Sequence, residues 1–573
     1  MTEMTEGLEL LTRTGKQLTQ RQATRRRFMQ GLLASGAVAA LAGIAGPRAA
    51  FAQATPVADD FIPFAGELAT DQVLRLSLAE PTTIDPGISF GDDGDLPILF
   101  NLFDGLVRVD QRTGAVVPAV AESYDINDDA TEFTFHIRAG VTWSDGTPIT
   151  ANDFVYSWTR VLDPETASEY TSALYPVKNA EKIVNGELAL TELGVKATDD
   201  STLVVTLEGS TTFFPLLAST WTYFPVPKHV IDEKGADWVE ADNNVSNGPF
   251  VLTEWTHDQK IVLTRNESYY GEKPTLTSAE YTIFADDAAQ SYVAFEAGEI
   301  DYSAPSGPDL DRVITDPEAM KNVLQFSLSN TYFIVADTTN PPTDMVEFRQ
   351  ALSKSLDRAT LADVILTGQY LPAFSLLPTN IPGNNPDAVL PEGVAEAQAL
   401  LTTAGIDPAS VTIDLTFISS QFYSTIAQYL QSAWQENLGI TVNLAPIEDS
   451  AYIDWRASRE TQPFNVYTGS WGSDFADASN WFNQNFTNTA DHYRNHWNFP
   501  EFDELVGVAV NNTNSEERNQ QYSDAEAILV EQAPIIPILH GTAFRAIKPW
   551  VKDIFFQPIL SVVHLRTIKI EAH

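Results

Sequence analysis

Val411-Thr412-Ile413-Asp414-Leu415-Thr416-Phe417 alternates apolar and polar residues, the period of a strand with one buried face. Behind it Ile426, Tyr429, Leu430, Ala433, Trp434 and Leu438 recur at helical spacing, Gly439 closes that helix, and Ile440 to Leu444 reads as a second strand. Strand, helix and strand at this spacing predict a parallel crossover unit. At least this region is therefore an α/β layer, in which ligands usually sit beyond the carboxyl ends of the strands.

The same periodicities extend outward. Val394, Ala397, Leu400, Leu401 and Ala404 form one helical face, ended by Gly405, and Phe348, Ala351, Leu352, Ser355 and Leu356 form another. Toward the N-terminus, strands are predicted at Val73–Leu78, Glu132–Arg138, Thr202–Leu207 and Lys260–Arg265, and a helix at Asp286–Ala297 closed by Gly298. Thr150-Ala151-Asn152-Asp153 has the hydroxyl and acid of a helix start, followed by Phe154, Val155, Trp158, Val161 and Leu162 on one face. Trp143 and Trp158 read as core. The Gly91-Asp92-Asp93-Gly94-Asp95 cluster lacks the spacing and distant glutamate of a calcium loop and is expected to be an exposed loop.

At 573 residues the chain is too long for one core and predicts two to four domains. With 34 basic and 77 acidic residues the net charge is -43, which argues against nucleic acid or an anionic membrane as a partner. There is no cysteine, so disulfides, thiol catalysis, cysteine metal sites and a lipid-anchoring N-terminal cysteine are excluded. Thr24-Arg25-Arg26-Arg27-Phe28 precedes an apolar run from Gly31 to Gly46 and then Ala50-Phe51-Ala52, the order of an export signal with its cleavage site. The paired arginines resemble the twin-arginine type. The expected address is extracytoplasmic, with residues 1–52 as signal and 53–64 as linker; left uncleaved, the apolar run would act as a membrane anchor.

No catalytic signature is present: no G-x-S-x-G, no H-E-x-x-H, no phosphate loop and no dinucleotide fingerprint. His492 and His496 would share a face on a helix but lack a third ligand, so they read as polar surface; neither metal nor cofactor is expected. Gly469-Ser470-Trp471-Gly472-Ser473-Asp474-Phe475-Ala476-Asp477 is different in kind. Small residues allow a ligand to approach the backbone, rings bind planar or apolar groups, and an acid sheltered by them suits a cationic group.

Several long blocks carry a resemblance. Leu102-Phe103-Asp104-Gly105-Leu106, Pro118 to Ser123, Phe133 to Arg138, Trp143-Ser144-Asp145-Gly146-Thr147-Pro148 through Trp158, Asn247-Gly248-Pro249-Phe250, Phe348 to Ser353 and Lys548-Pro549-Trp550-Val551 resemble, in order, the bacterial extracellular oligopeptide-binding proteins (solute-binding family 5), receptors of peptide ABC importers. The resemblance implies an α/β, bilobal, type II periplasmic-binding fold with mixed sheets, three domains and a hinge. Domain I would comprise residues 65–100, 245–325 and 531–573; domain II, 101–244; domain III, 326–530. It further implies that Asp474 grips a peptide's terminal ammonium, flanked by Trp471, Ser470 and Gly472, with Tyr170 reaching the same end and His540 near the pocket. One departure stands out: a basic residue of the family, six positions before the acid, is here Thr468, and a family histidine is Tyr423. Arg456 is the candidate substitute.

The implied function is a non-catalytic, monomeric receptor that captures oligopeptides and delivers them to the transmembrane subunits of an ABC permease. Two alternatives stay open: a receptor of the same family for an oligosaccharide, an opine or a chelated metal, and an exported hydrolase.

Overall fold

The computed structural model describes residues 62–573 except 93, 286, 461–462, 489, 558 and 560–561. The predicted export signal and most of the linker lie outside the described residues. The crossover is present as read: Thr412–Ile418 pairs in parallel with Thr441–Ile447, and helix Gln421–Leu438 joins them. Ser420 caps that helix by accepting from the Tyr423 N–H, and Gly439 ends it at φ 79, a left-handed conformation that costs glycine least. Ile426, Leu430 and Trp434 are fully buried on its inner face.

This unit forms one end of a seven-stranded mixed sheet. From there the order runs through Val466–Gly472, the long strands Val323–Ala336 and Ile535–Ile547, and Tyr302–Ser303, with Tyr370–Pro372 added beside Ile535–Ile547. Two four-stranded sheets stand apart from it. One orders Val73–Leu78, Ser278–Ile283, Lys260–Arg265 and Phe250–Thr256; the other orders Ala121–Ile126, Glu132–Ile137, Thr202–Thr206 and Val195–Asp199. The predicted helix after Thr150 spans Ala151–Leu162. The Asp153 carboxylate accepts from the Thr150 N–H at 2.7 Å and from its hydroxyl at 3.0 Å.

Apolar burial divides the chain into two lobes. The first lobe's core takes residues between Leu74 and Ile283 together with Phe326 and residues from Ala543 to Ile570, Trp143 and Trp158 among them. The second takes residues between Tyr332 and Leu539. The two long strands run from one core into the other: Phe326 and Ala543 belong to the first, Tyr332 to Ala336 and Ile535 to Leu539 to the second. Their pairing register shifts between Ser327 and Thr331, at the crossing itself.

The Gly91–Asp95 segment corrects one expectation, since Asp95 is fully buried rather than exposed. It accepts from the Thr82 N–H at 2.8 Å and the Ser89 hydroxyl at 2.7 Å, and burial pushes its pKa up to about 6. These local donors make a buried acid tolerable without any cation.

Candidate ligand-binding site

The loop that follows Val466–Gly472 is moored on both lobes. Where the strand leaves its partner, the Ser473 N–H donates to the Ser329 carbonyl at 2.8 Å. Asn480, on the short helix Ser479–Phe482, then holds Asp474 twice: its Oδ1 accepts from the Asp474 N–H at 2.9 Å, and its Nδ2 donates to the Asp474 carboxylate at 3.2 Å. Asp477 points the other way. It is buried and accepts from both Arg518 guanidinium nitrogens at 2.6 Å. Between the two acids, Phe475 stacks on Phe213 of the first lobe with ring centroids 5.2 Å apart and planes within 9°. The loop thus presents Asp474 between two fixed points, one in each lobe.

Asp474 and Phe475 open onto a cleft of about 1180 Å³ between the lobes. Ser327, Ser329, Thr379 and Asn380 join them on the second-lobe side; Phe100, Phe103, Asp104, Arg108, Tyr270, His564 and Arg566 are on the facing wall. Ser327 Oγ, Ser329 Oγ and both amide atoms of Asn380 are buried with no hydrogen-bond partner among the described residues. Buried polar atoms ordinarily find partners; among the described residues these four lack one, although their residues line the cleft. Sequence reasoning missed them. The one available signal was the break that Ser327 to Asn330 makes in an otherwise apolar strand.

Opposite, Asp104 is tied down. Its carboxylate accepts from Arg566 at 2.7 Å, Tyr269 at 2.5 Å and Tyr270 at 2.8 Å. Burial alone would raise its pKa, but the Arg566 charge and the two hydroxyls hold it below the ordinary value.

The other expected site residues are placed as follows. Ser470, Trp471 and Arg456 come together around Tyr493. The Tyr493 hydroxyl donates to the Ser470 carbonyl at 2.9 Å, the Tyr423 hydroxyl reaches Ser470 Oγ at 3.4 Å, and Arg456 lies 5.8 Å from the Tyr493 ring centroid. Trp471 meets His492 edge-on at 5.5 Å. Burial, then the charges of Arg456 and Arg494, push His492 down to about 4. Gly472 pairs with Asn330 of the long strand. Tyr170 is in the first lobe, stacked on Trp221 at 5.6 Å and edge-on to Phe90 at 5.4 Å. His540 exchanges a hydrogen bond with Thr331 at 2.9 Å, and burial pushes it down to about 4. Of these seven residues, Asp474 alone lines the 1180 Å³ cleft.

His492 and His496 are not on a helix and do not face one another's partners: His496 lies 3.5 Å from Asp337, His492 against Trp471. His492 is half-buried, which corrects its reading as polar surface. Thr468 is buried, and its carbonyl accepts from the Tyr452 hydroxyl at 2.7 Å.

Residues 115–493 match the bacterial extracellular solute-binding proteins, family 5 Middle. The chain belongs to this family. Among relatives of this family 5 chain, the probable deoxycholate-binding periplasmic protein YgiS of Escherichia coli (strain K12) is 33% identical over 535 residues, 91% of this chain and 97% of the relative. The periplasmic murein peptide-binding protein MppA of the same organism is 32% identical over 513 residues, 88% of this chain and 94% of MppA. The unliganded open form of MppA superposes with a TM-score of 0.81 at 31% identity, covering 89% of this chain and 99% of that one. Haemophilus influenzae OppA in complex with RPPGFSPFR gives 0.62 at 28% identity, covering 88% and 100%. This family 5 chain superposes more closely on the unliganded open form of MppA than on that complex. Its fold is the type II periplasmic-binding fold.

Proposed function

We propose that the protein is the extracytoplasmic substrate-binding component of an ABC importer, capturing oligopeptides between its two lobes and delivering them to the permease. The observation that carries this reading is Asp474, held by Asn480 at the mouth of an interlobe cleft. A carboxylate so placed pairs with a terminal ammonium. Ser327, Ser329, Thr379 and Asn380 give the cleft a polar wall suited to a peptide main chain, and aromatic walls leave side-chain preference broad. Ser470, Trp471 and Gly472 support the acid from its strand, and Tyr170 and His540 act on closure. The domains are taken as 65–100 plus 245–325 plus 531–573, 101–244 and 326–530, with the hinge in the strands Val323–Ala336 and Ile535–Ile547, which run from one core into the other. The protein acts as a monomer without catalysis.

A second reading is favoured by one observation. Phe100, Phe103, Phe224, Phe326, Phe475, Phe555 and Phe556 all line the cleft, a surface that also suits a rigid amphipathic acid of the kind named for YgiS. Mass spectrometry of ligands that co-purify with the protein separates the two. Peptides with free amino termini support the first reading; a steroid acid, or hydrolysis products that accumulate with time, overturn it.

A further inference from the structure

The cleft is unusually cationic for a chain of net charge -43. Most of its cations already have partners: Arg566 is bound to Asp104 at 2.7 Å and Lys569 to Asp553 at 2.7 Å. Lys273 is bound to Glu267 at 3.1 Å, and Arg138 sits 5.8 Å from the Tyr270 ring centroid. Two lining cations, Arg108 and Arg112, have no such side-chain partner among the described residues; Arg112 is exposed to solvent, whereas Arg108 is not. Arg108 lies in the short strand Val107–Val109, held opposite Val117 in a two-stranded ribbon, half-buried and lining the cleft. Among the described residues its side chain has neither a hydrogen bond nor an ion pair, although its charge adds to that of Arg566 in holding the Asp104 pKa down. The nearby acids are otherwise engaged. Asp104 accepts from Arg566 and two tyrosines, and Asp110 accepts from the Arg112 N–H at 3.1 Å and from Thr113 at 2.9 Å.

We propose that Arg108 receives the ligand's carboxylate, across the cleft from Asp474. This rests on the reading of the cleft as the ligand site. A partly desolvated guanidinium without a partner is costly, and a planar carboxylate fits its fork with two parallel bonds. The position also answers the missing charge at Thr468. Arg456, the substitute expected from sequence, stands on Tyr493 and does not line the cleft, whereas Arg108 does. Because Arg108 and Asp474 belong to different lobes, a ligand carrying both charges bridges them, and its binding energy favours closure. The carboxylate can come from a peptide's C-terminus or from a steroid acid; the chemistry at Arg108 is the same.

The test is competitive native mass spectrometry of the full chain with a pool of Ala/Phe peptides of graded length, each as free acid and as C-terminal amide, and separately with deoxycholate. The wild type retains acids over amides by about tenfold or more, the range of a charge-assisted hydrogen-bond pair. Arg108→Gln equalises them without weakening the amides, Arg108→Lys restores part of the preference, and neither lowers Tm by more than the weak charge interaction with Asp104 accounts for. Equal retention of acids and amides by the wild type, or an undiminished preference in Arg108→Gln, overturns the proposal while leaving the receptor reading intact. If peptides fail but deoxycholate binds and is lost in Arg108→Gln, the carboxylate site holds and the peptide reading falls. Retention of neither overturns both.

Discussion

Asp474 and Asp477 lie three residues apart in one loop and have opposite tasks. Asp477 forms a buried ion pair with Arg518, whose guanidinium also lies 5.7 Å from the Phe213 ring centroid of the facing lobe. Asp477→Asn leaves that guanidinium buried and uncompensated, and the expected loss of stability is about 3 to 5 kcal/mol, read as a lower midpoint in denaturant. An unchanged midpoint would mean that water reaches the pair. Buried imidazoles make a second prediction. His492, His540 and His564 are pushed down to about 4, 4 and 3, against an ordinary 6.5, chiefly by burial. The unfolded chain therefore takes up protons that the folded chain refuses, so their contribution is intact above pH 6.5 and is lost as pH falls toward 4. In thermal melts, His564→Gln is expected to flatten that decline relative to wild type; parallel curves would refute it. At this scale the sequence was legible where composition and spacing carry meaning, as at the core tryptophans Trp143 and Trp158, and silent at Arg108, Ser327, Ser329 and Asn380. Their significance lies in the partners they lack, which only the fold reveals.

The strand Val466–Gly472 positions the loop, and its own seating depends on Gly469. A Cβ there would stand 2.8 Å from Phe333 Cε2 and 2.9 Å from Val335 Cγ2, both in the fully buried core of the partner strand. Gly469→Ala should lower stability by about 1 to 3 kcal/mol through overpacking and loosen Asp474 with it; thermal unfolding and peptide affinity together check this, and a variant with wild-type values for both contradicts it. Element reading from periodicity worked well for strands with one buried face and for capped helices, because those patterns are local. It could not anticipate that Ile535–Ile547 and Val323–Ala336 cross between lobes. The motifs that carry the family resemblance prove to be largely internal braces. Asn247 exchanges bonds with the Asp104 backbone at 3.0 and 2.8 Å, and Arg349 donates to the Gln532 carbonyl at 2.7 Å. They specify the frame more than the ligand.

The whole molecule has two cores joined by two long strands, and a loop touching both. Ligand binding is expected to shift this arrangement toward closure, seen as a smaller radius of gyration in solution scattering. No contraction on saturation with a bound ligand would refute the hinge assignment. The fold class and the family were readable from the chain's order of motifs, but the disposition of the lobes was not, since it depends on small energy differences between two packings of the same elements. Whether Asp474 holds a ligand's positive end is decided by calorimetry of one short peptide, free and N-acetylated, against wild type and Asp474→Asn. Acetylation is expected to weaken wild-type binding by about 2 kcal/mol, roughly thirtyfold, and to make little further difference in Asp474→Asn. Equal affinity of wild type for the free and acetylated peptides would contradict that role for Asp474.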